Sequence, residues 1–181
     1  MILKPSPQEY PERFKDYIEL VNEDNLVQIL RQDRNYTHNF FTDINKEMLD
    51  YRYAEGKWSI KEILMHINYV ERIMQYRAFT ASRGDNQTVL TAINHDAYIA
   101  NSEVHRFDIE DLLEEFNVIR NYTIELFSNL SERQTKLKMG DNENAISARA
   151  IGYALIGHAR HHKNIINARY LKIPAQEKQM G

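Results

Sequence analysis

The sequence contains no cysteine. That absence removes disulfides, thiolate metal ligands and a thiol nucleophile, and leaves nitrogen and oxygen to hold any metal. Glycine (6) and proline (4) are sparse among 181 residues, and the prolines stand towards the ends, at Pro5, Pro7, Pro11 and Pro174. The long interior is therefore free to be helical. No apolar run reaches the roughly eighteen residues that a membrane span needs. The opening MILKPSPQEYPERF is too polar and proline-rich for a secretory signal, so a cytoplasmic location is expected. The formal charge of −3 is spread along the chain without a Lys/Arg cluster. Neither nucleic acid nor an anionic membrane surface is an expected partner.

What is present is helical periodicity. At 43% hydrophobic content the chain fits one domain over residues 1–181 with a sizeable core. A short helix is expected within residues 9–21. A long helix is predicted from about Glu23 to about Glu47, with Leu26, Ile29, Leu30, Phe40, Phe41, Ile44 and Met48 at helical spacing. After the turn DYRYAEGK, Ser59 opens a second helix to about Ala81, with Glu62 completing a capping box. A polar turn around Arg83 to Gln87 leads to a short crossover helix over His95 to Val104. Asp108, with Asp111 three residues on, starts a helix from Ile109 to about Leu130. Ser131 opens a short helical turn, MGDNENAIS reads as a loop, and a last helix runs from about Ser147 to Leu171. Four long helices and a short crossover helix imply an all-α four-helix bundle. No internal repeat interrupts this reading.

The chemistry sits in the run GHARHHKNII of the last helix. A rotation of about 100° per residue puts Ile151, Ala154, Leu155, His158, His162, Ile165, Ile166 and Arg169 on one face. Two histidines at i and i+4 stack one turn apart, a spacing that lets both imidazoles hold one metal ion. No glutamate follows the first histidine, so the HExxH protease mechanism is unsupported. His161 falls off the stripe and is expected at the rim or on the surface. A pair of hydrogen-bonded core histidines is the alternative, and burying them without partners is costly. A metal site needs a third ligand; His66, beside Ile63 and Ile67 on the second helix, is the candidate.

The run KWSIKEILMHINYVERIMQYRA, followed about ninety residues later by IGHARHHKNIINARYL, resembles the DinB/YfiT-like family of metal-binding four-helix bundles over nearly the whole chain. In that family a Trp-Ser/Thr start to the second helix precedes a histidine, and the last helix supplies His-x-x-x-His. These map onto Trp58, Ser59, His66, His158 and His162, so the resemblance implies that the three histidines bind zinc or nickel. Glu71 and the Arg77-Ala78 pair also fit. The resemblance further implies thiol-cofactor chemistry of the bacillithiol or mycothiol type, and a homodimer.

Asp33, Glu71 and Arg120 each intrude on an apolar stripe, and Thr37 stacks on Asp33 one turn later. Inward charges need partners. Two readings stand: a buried ion network, or Arg120 holding an anionic substrate group with Asp33 orienting a ligand or a water. Trp58, Tyr51 and Tyr53 are expected to pack. His38, His95 and His105 are expected in solvent, and Asp96 and Tyr98 could line a site mouth. A divalent transition ion, zinc or nickel, held by neutral histidines retains net positive charge and an open position. The expected function is metal-dependent S-transfer from a low-molecular-weight thiol to a small-molecule electrophile. Metal-dependent hydrolysis and non-catalytic metal binding are the alternatives. A DNA-damage role, suggested by the family's name, lacks a basic patch.

Overall fold

The computed structural model describes residues 1–88 and 92–171; Pro174 lies outside them. Helices α1 (Lys15–Glu19), α2 (Leu26–Thr42), α3 (Ile60–Ser82), α4 (His95–Ala100), α5 (Ile109–Ser128), α6 (Glu132–Lys136) and α7 (Ala148–Ile165) follow in order, and a π-helical turn, Ile166–Leu171, extends α7. The four long helices make a four-helix bundle: α2 and α3 each pack against both α5 and α7. Successive helices α2 and α3 therefore lie diagonally across it. No helix among the described residues is long and apolar enough to cross a membrane.

Local chemistry sets the helix ends. Ser59 Oγ accepts from Glu62 N at 3.3 Å while Glu62 Oε2 accepts from Ser59 N at 2.6 Å, satisfying two amides that the first turn of α3 leaves unpaired. Asp111 accepts from Asp108 N at 3.1 Å at the start of α5. Three expectations are corrected. The first long helix is shorter than Glu23–Glu47, because Asn25 sits at φ 74° before it and Asn45 accepts from Glu47 N to start a separate 3-10 turn, Lys46–Met48. The crossover helix stops at Ala100, and Glu103 at φ 50° precedes a 3-10 turn. The ends of the loop MGDNENAIS, with Lys138 before it, form a two-residue antiparallel pairing, Lys138 with Ser147 and Met139 with Ile146.

Helix α7 is the hub. Every residue from Ala150 to Ala159 is buried, because α1, α2 and α3 all pack on it. Gly157 permits the approach of α1: a Cβ there would stand 1.8 Å from the carbonyl oxygen of Tyr17. Helices α3 and α7 run antiparallel. Thr80, late in α3, contacts Met139 of the hairpin that leads into α7, whereas His66, early in α3, meets His158. The apolar core divides into two clusters, one around Leu30, Met74, Phe127 and Ile151, the other around Phe41, Leu64, Phe116 and Ile166. Polar residues of four helices lie between them in sequence.

Candidate metal centre

His66 stands two turns into α3, and His158 and His162 stand one turn apart on α7. Nε2 of His158 lies 2.9 Å from Nε2 of His66 and 3.1 Å from Nε2 of His162, and one ligand atom from each residue fits within 4.8 Å of the others. Two nitrogens on one ion, each about 2.0–2.1 Å from it, stand about 2.9–3.4 Å apart at right-angled to tetrahedral geometry. The donor set therefore fits a divalent transition ion. Burial, then the neighbouring histidines, lower the pKa of His66 to about 2 and of His162 to about 3, and push His158 well below its ordinary value. All three rings stay neutral at physiological pH, with lone pairs available to a metal. Such nitrogens suit zinc, nickel, copper and iron alike.

Tyr69, half-buried on the next turn of α3, places its hydroxyl 2.7 Å from Nδ1 of His66 and 2.9 Å from Nδ1 of His95. His95 was expected in solvent. It is exposed, but α4 folds back against α3 and brings its ring within 5.0 Å of the His66 ring. Tyr17 of α1 sets its ring edge-on to His158 and to His161, at 5.5 and 5.4 Å. His161 is half-buried at this rim. Trp58 tilts over His66 at 4.8 Å and packs on the second core cluster. The imidazoles border a cavity of about 660 Å³ with walls that include Trp58, Val70, Met74 and Leu155. Asp96 and Tyr98 are absent from its described lining; Tyr98 packs on Tyr69 at 5.2 Å. His38 meets Asn117 at 3.0 Å and His105 is exposed. Tyr51 and Tyr53 pack on Tyr170.

Asp33, Glu71 and Arg120 meet one another instead of the cavity. The Arg120 side chain, 0% exposed, donates from Nε and NH2 to the two oxygens of Glu71 at 2.6 and 2.8 Å and from NH1 to Asp33 at 2.8 Å. Thr123 donates to Glu71 at 2.9 Å. Lys163 Nζ lies 3.2 Å from Asp33 and donates to Thr37 at 2.6 Å. Burial alone would raise the Asp33 carboxyl, but the charges of Arg120 and Lys163 hold it below the carboxylate range. Burial pulls Lys163 down to about 8 against the pull of Asp33. Arg160, paired with Glu23 at 2.8 Å, adds a third cation 3.8 Å from Asp33, so three carboxylates meet three cations in a network rich in hydrogen bonds. It joins α2, α3, α5 and α7, and its member Lys163 directly follows His162 in the chain.

The sequence profile of the DinB superfamily matches residues 29–166. A comparison with curated proteins finds no match. Among solved structures, YfiT from Bacillus subtilis, described as "a probable metal-dependent hydrolase with an unusual four-helix bundle topology", superposes with a TM-score of 0.70 at 15% identity, over 92% of this chain and 91% of YfiT. A DinB-like protein from Bacillus subtilis, YjoA, superposes with a TM-score of 0.54 at 20% identity, over 81% of this chain and 90% of its own.

Proposed function

The chain belongs to the DinB superfamily, and on that footing we propose that it is a metal-dependent enzyme in which His66, His158 and His162 hold one zinc or nickel ion and a low-molecular-weight thiol is transferred to a small electrophile. The observation that carries this reading is the convergence of three neutral imidazole nitrogens beside an open cavity. The described residues offer no fourth His or carboxylate to the cluster, which leaves coordination positions for a ligand.

A divalent ion at this point supplies Lewis acidity that activates a thiol or a water as nucleophile near neutral pH. The chain's own residues favour the thiol. No Asp or Glu lines the cavity among the described residues, so no carboxylate base is at hand for water. A thiol, with an ordinary pKa of about 8.5, asks far less of a base. The chain contains no cysteine, so the sulfur must come from a separate molecule. Trp58 and Tyr17 pack on the imidazole rings, Tyr69 bonds His66 from behind, and Val70, Met74 and Leu155 give the cavity apolar walls for the substrate.

Hydrolysis is the second reading. It is favoured by the description of YfiT and by the imidazole of His95, which borders the cavity. The test is turnover of a small electrophile by the metal-loaded protein with and without added bacillithiol. Thiol-dependent consumption supports transfer; equal consumption without thiol, with water entering the product, replaces it by hydrolysis.

A further inference from the structure

The cavity extends far beyond the histidines. His66, Val70, Met74 and Arg77 all line it, and their spacing puts them on one face of α3, so it follows that helix for three turns, about 16 Å. Ala154 and Leu155 of antiparallel α7 line the same stretch. Arg13 joins at the far end, where its NH1 donates to Asn144 at 2.9 Å, shortly before α7 begins. Both arginines face the cavity, and no Asp or Glu stands among its described lining residues. Burial first, and then the charge of Arg13, lower the pKa of Arg77; the two guanidiniums thus sense each other. One end of the cavity is polar and neutral, the middle is apolar, and the other end is cationic. A guanidinium presents five N–H donors in a planar fork suited to carboxylate or phosphate.

We propose that the cavity takes an elongated small molecule that carries an anion, a carboxylate or a phosphate, at the end held by Arg77 and Arg13, with its reacting group directed to the histidines. The direction of the reacting group rests on the metal-centre reading given above; recognition of the anion does not. The two are separated by working on the full chain stripped of metal with a chelator.

Trp58 is the only tryptophan in the sequence and lines the cavity, so its fluorescence reports occupancy. Octanoate, octyl phosphate and octanol share an apolar tail and differ in the head. Titration should show at least one anion binding tenfold or more tightly than octanol, and the tighter of the two identifies the head group. Arg77→Met should erase that preference while leaving octanol unchanged, and Arg77→Lys should retain part of it. Arg13→Gln, at an exposed position, should reduce it several-fold and keeps the test available if Arg77→Met does not fold. Equal binding of octanol and both anions, or no binding of any of the three, overturns the proposal. So does an arginine variant that weakens octanol as much as the anions.

Discussion

Nε2 of His66 and Nε2 of His158 face each other at 2.9 Å across 92 positions of sequence. Behind the His66 ring, the Tyr69 hydroxyl bridges Nδ1 of His66 and Nδ1 of His95 at 2.7 and 2.9 Å. If Tyr69 donates to His95, its oxygen accepts from Nδ1 of His66, and Nε2 of His66 is left as a bare lone pair. Without a metal, Nε2–H of His158 can donate to that lone pair; with one, both nitrogens are free to turn their lone pairs to the ion.

Tyr69→Phe removes the group behind His66. Metal affinity should fall by about tenfold or more, as losses of such supporting partners do. Competition with a chromophoric chelator measures it. Unchanged affinity would show that packing by Trp58 alone orients the ring.

Arg120→Ala leaves Glu71 and Asp33 buried and short of their shared partner. Unfolding free energy in urea should drop by about 3–5 kcal/mol. Because Arg120 is absent from the cavity lining, the KM of the protein that remains folded should not change. A stable variant with a raised KM would return Arg120 to the substrate.

Gly157→Ala forces a methyl group onto the backbone of Tyr17. Overpacking of this kind costs about 1–3 kcal/mol. Here α1 must also shift, which loosens Tyr17 from His158. The expected result is a lower Tm and faster metal loss to a chelator. A wild-type Tm would mean that α1 is not held against α7 in solution.

Glu9 anchors the N-terminal segment, accepting from Ser147 at 2.9 Å and from Arg149 Nε at 2.7 Å. Burial opposes its ionisation, yet the bonds to Arg149, Ser6 and Ser147 lower its pKa from 4.5 to about 2. Its folded pKa lies below its unfolded one, so its contribution is complete above about pH 4.5 and is lost as pH falls towards 2. A depression of this size corresponds to about 3 kcal/mol. The stability gap between wild type and Glu9→Gln, measured in urea, should be wide at pH 7 and should narrow by pH 3. An equal gap at both pH values would contradict the ion-pair account.

Much of the fold was legible because its signals are local. Ser59 with Glu62 and Asp108 with Asp111 mark helix starts within four residues of sequence, and stripes such as Leu26, Ile29 and Leu30 reach the core intact. The inward charges Asp33, Glu71 and Arg120 were visible as interruptions of those stripes, although sequence alone could not say whom they meet. Lys163 escaped notice because α7 is buried on several faces. The single apolar stripe does not include it, and its long chain reaches Asp33 and Thr37 on another side. His95 escaped because α4 is too short to show periodicity, and only its return onto α3 brings it to the site. Arg13 and Arg77 reach one cavity because α1, which follows Arg13, and α3, which carries Arg77, both pack on α7, an arrangement that no local pattern encodes.

Metal content tests the central claim most directly. Untagged protein and a His158→Ala variant, each reloaded with zinc or nickel and freed of excess, are analysed for metal per chain. The account predicts close to one ion per wild-type chain and none retained by the variant, with helical content unchanged. Absence of metal from both proteins, or equal retention by both, would contradict it and leave His66, His158 and His162 as a structural cluster.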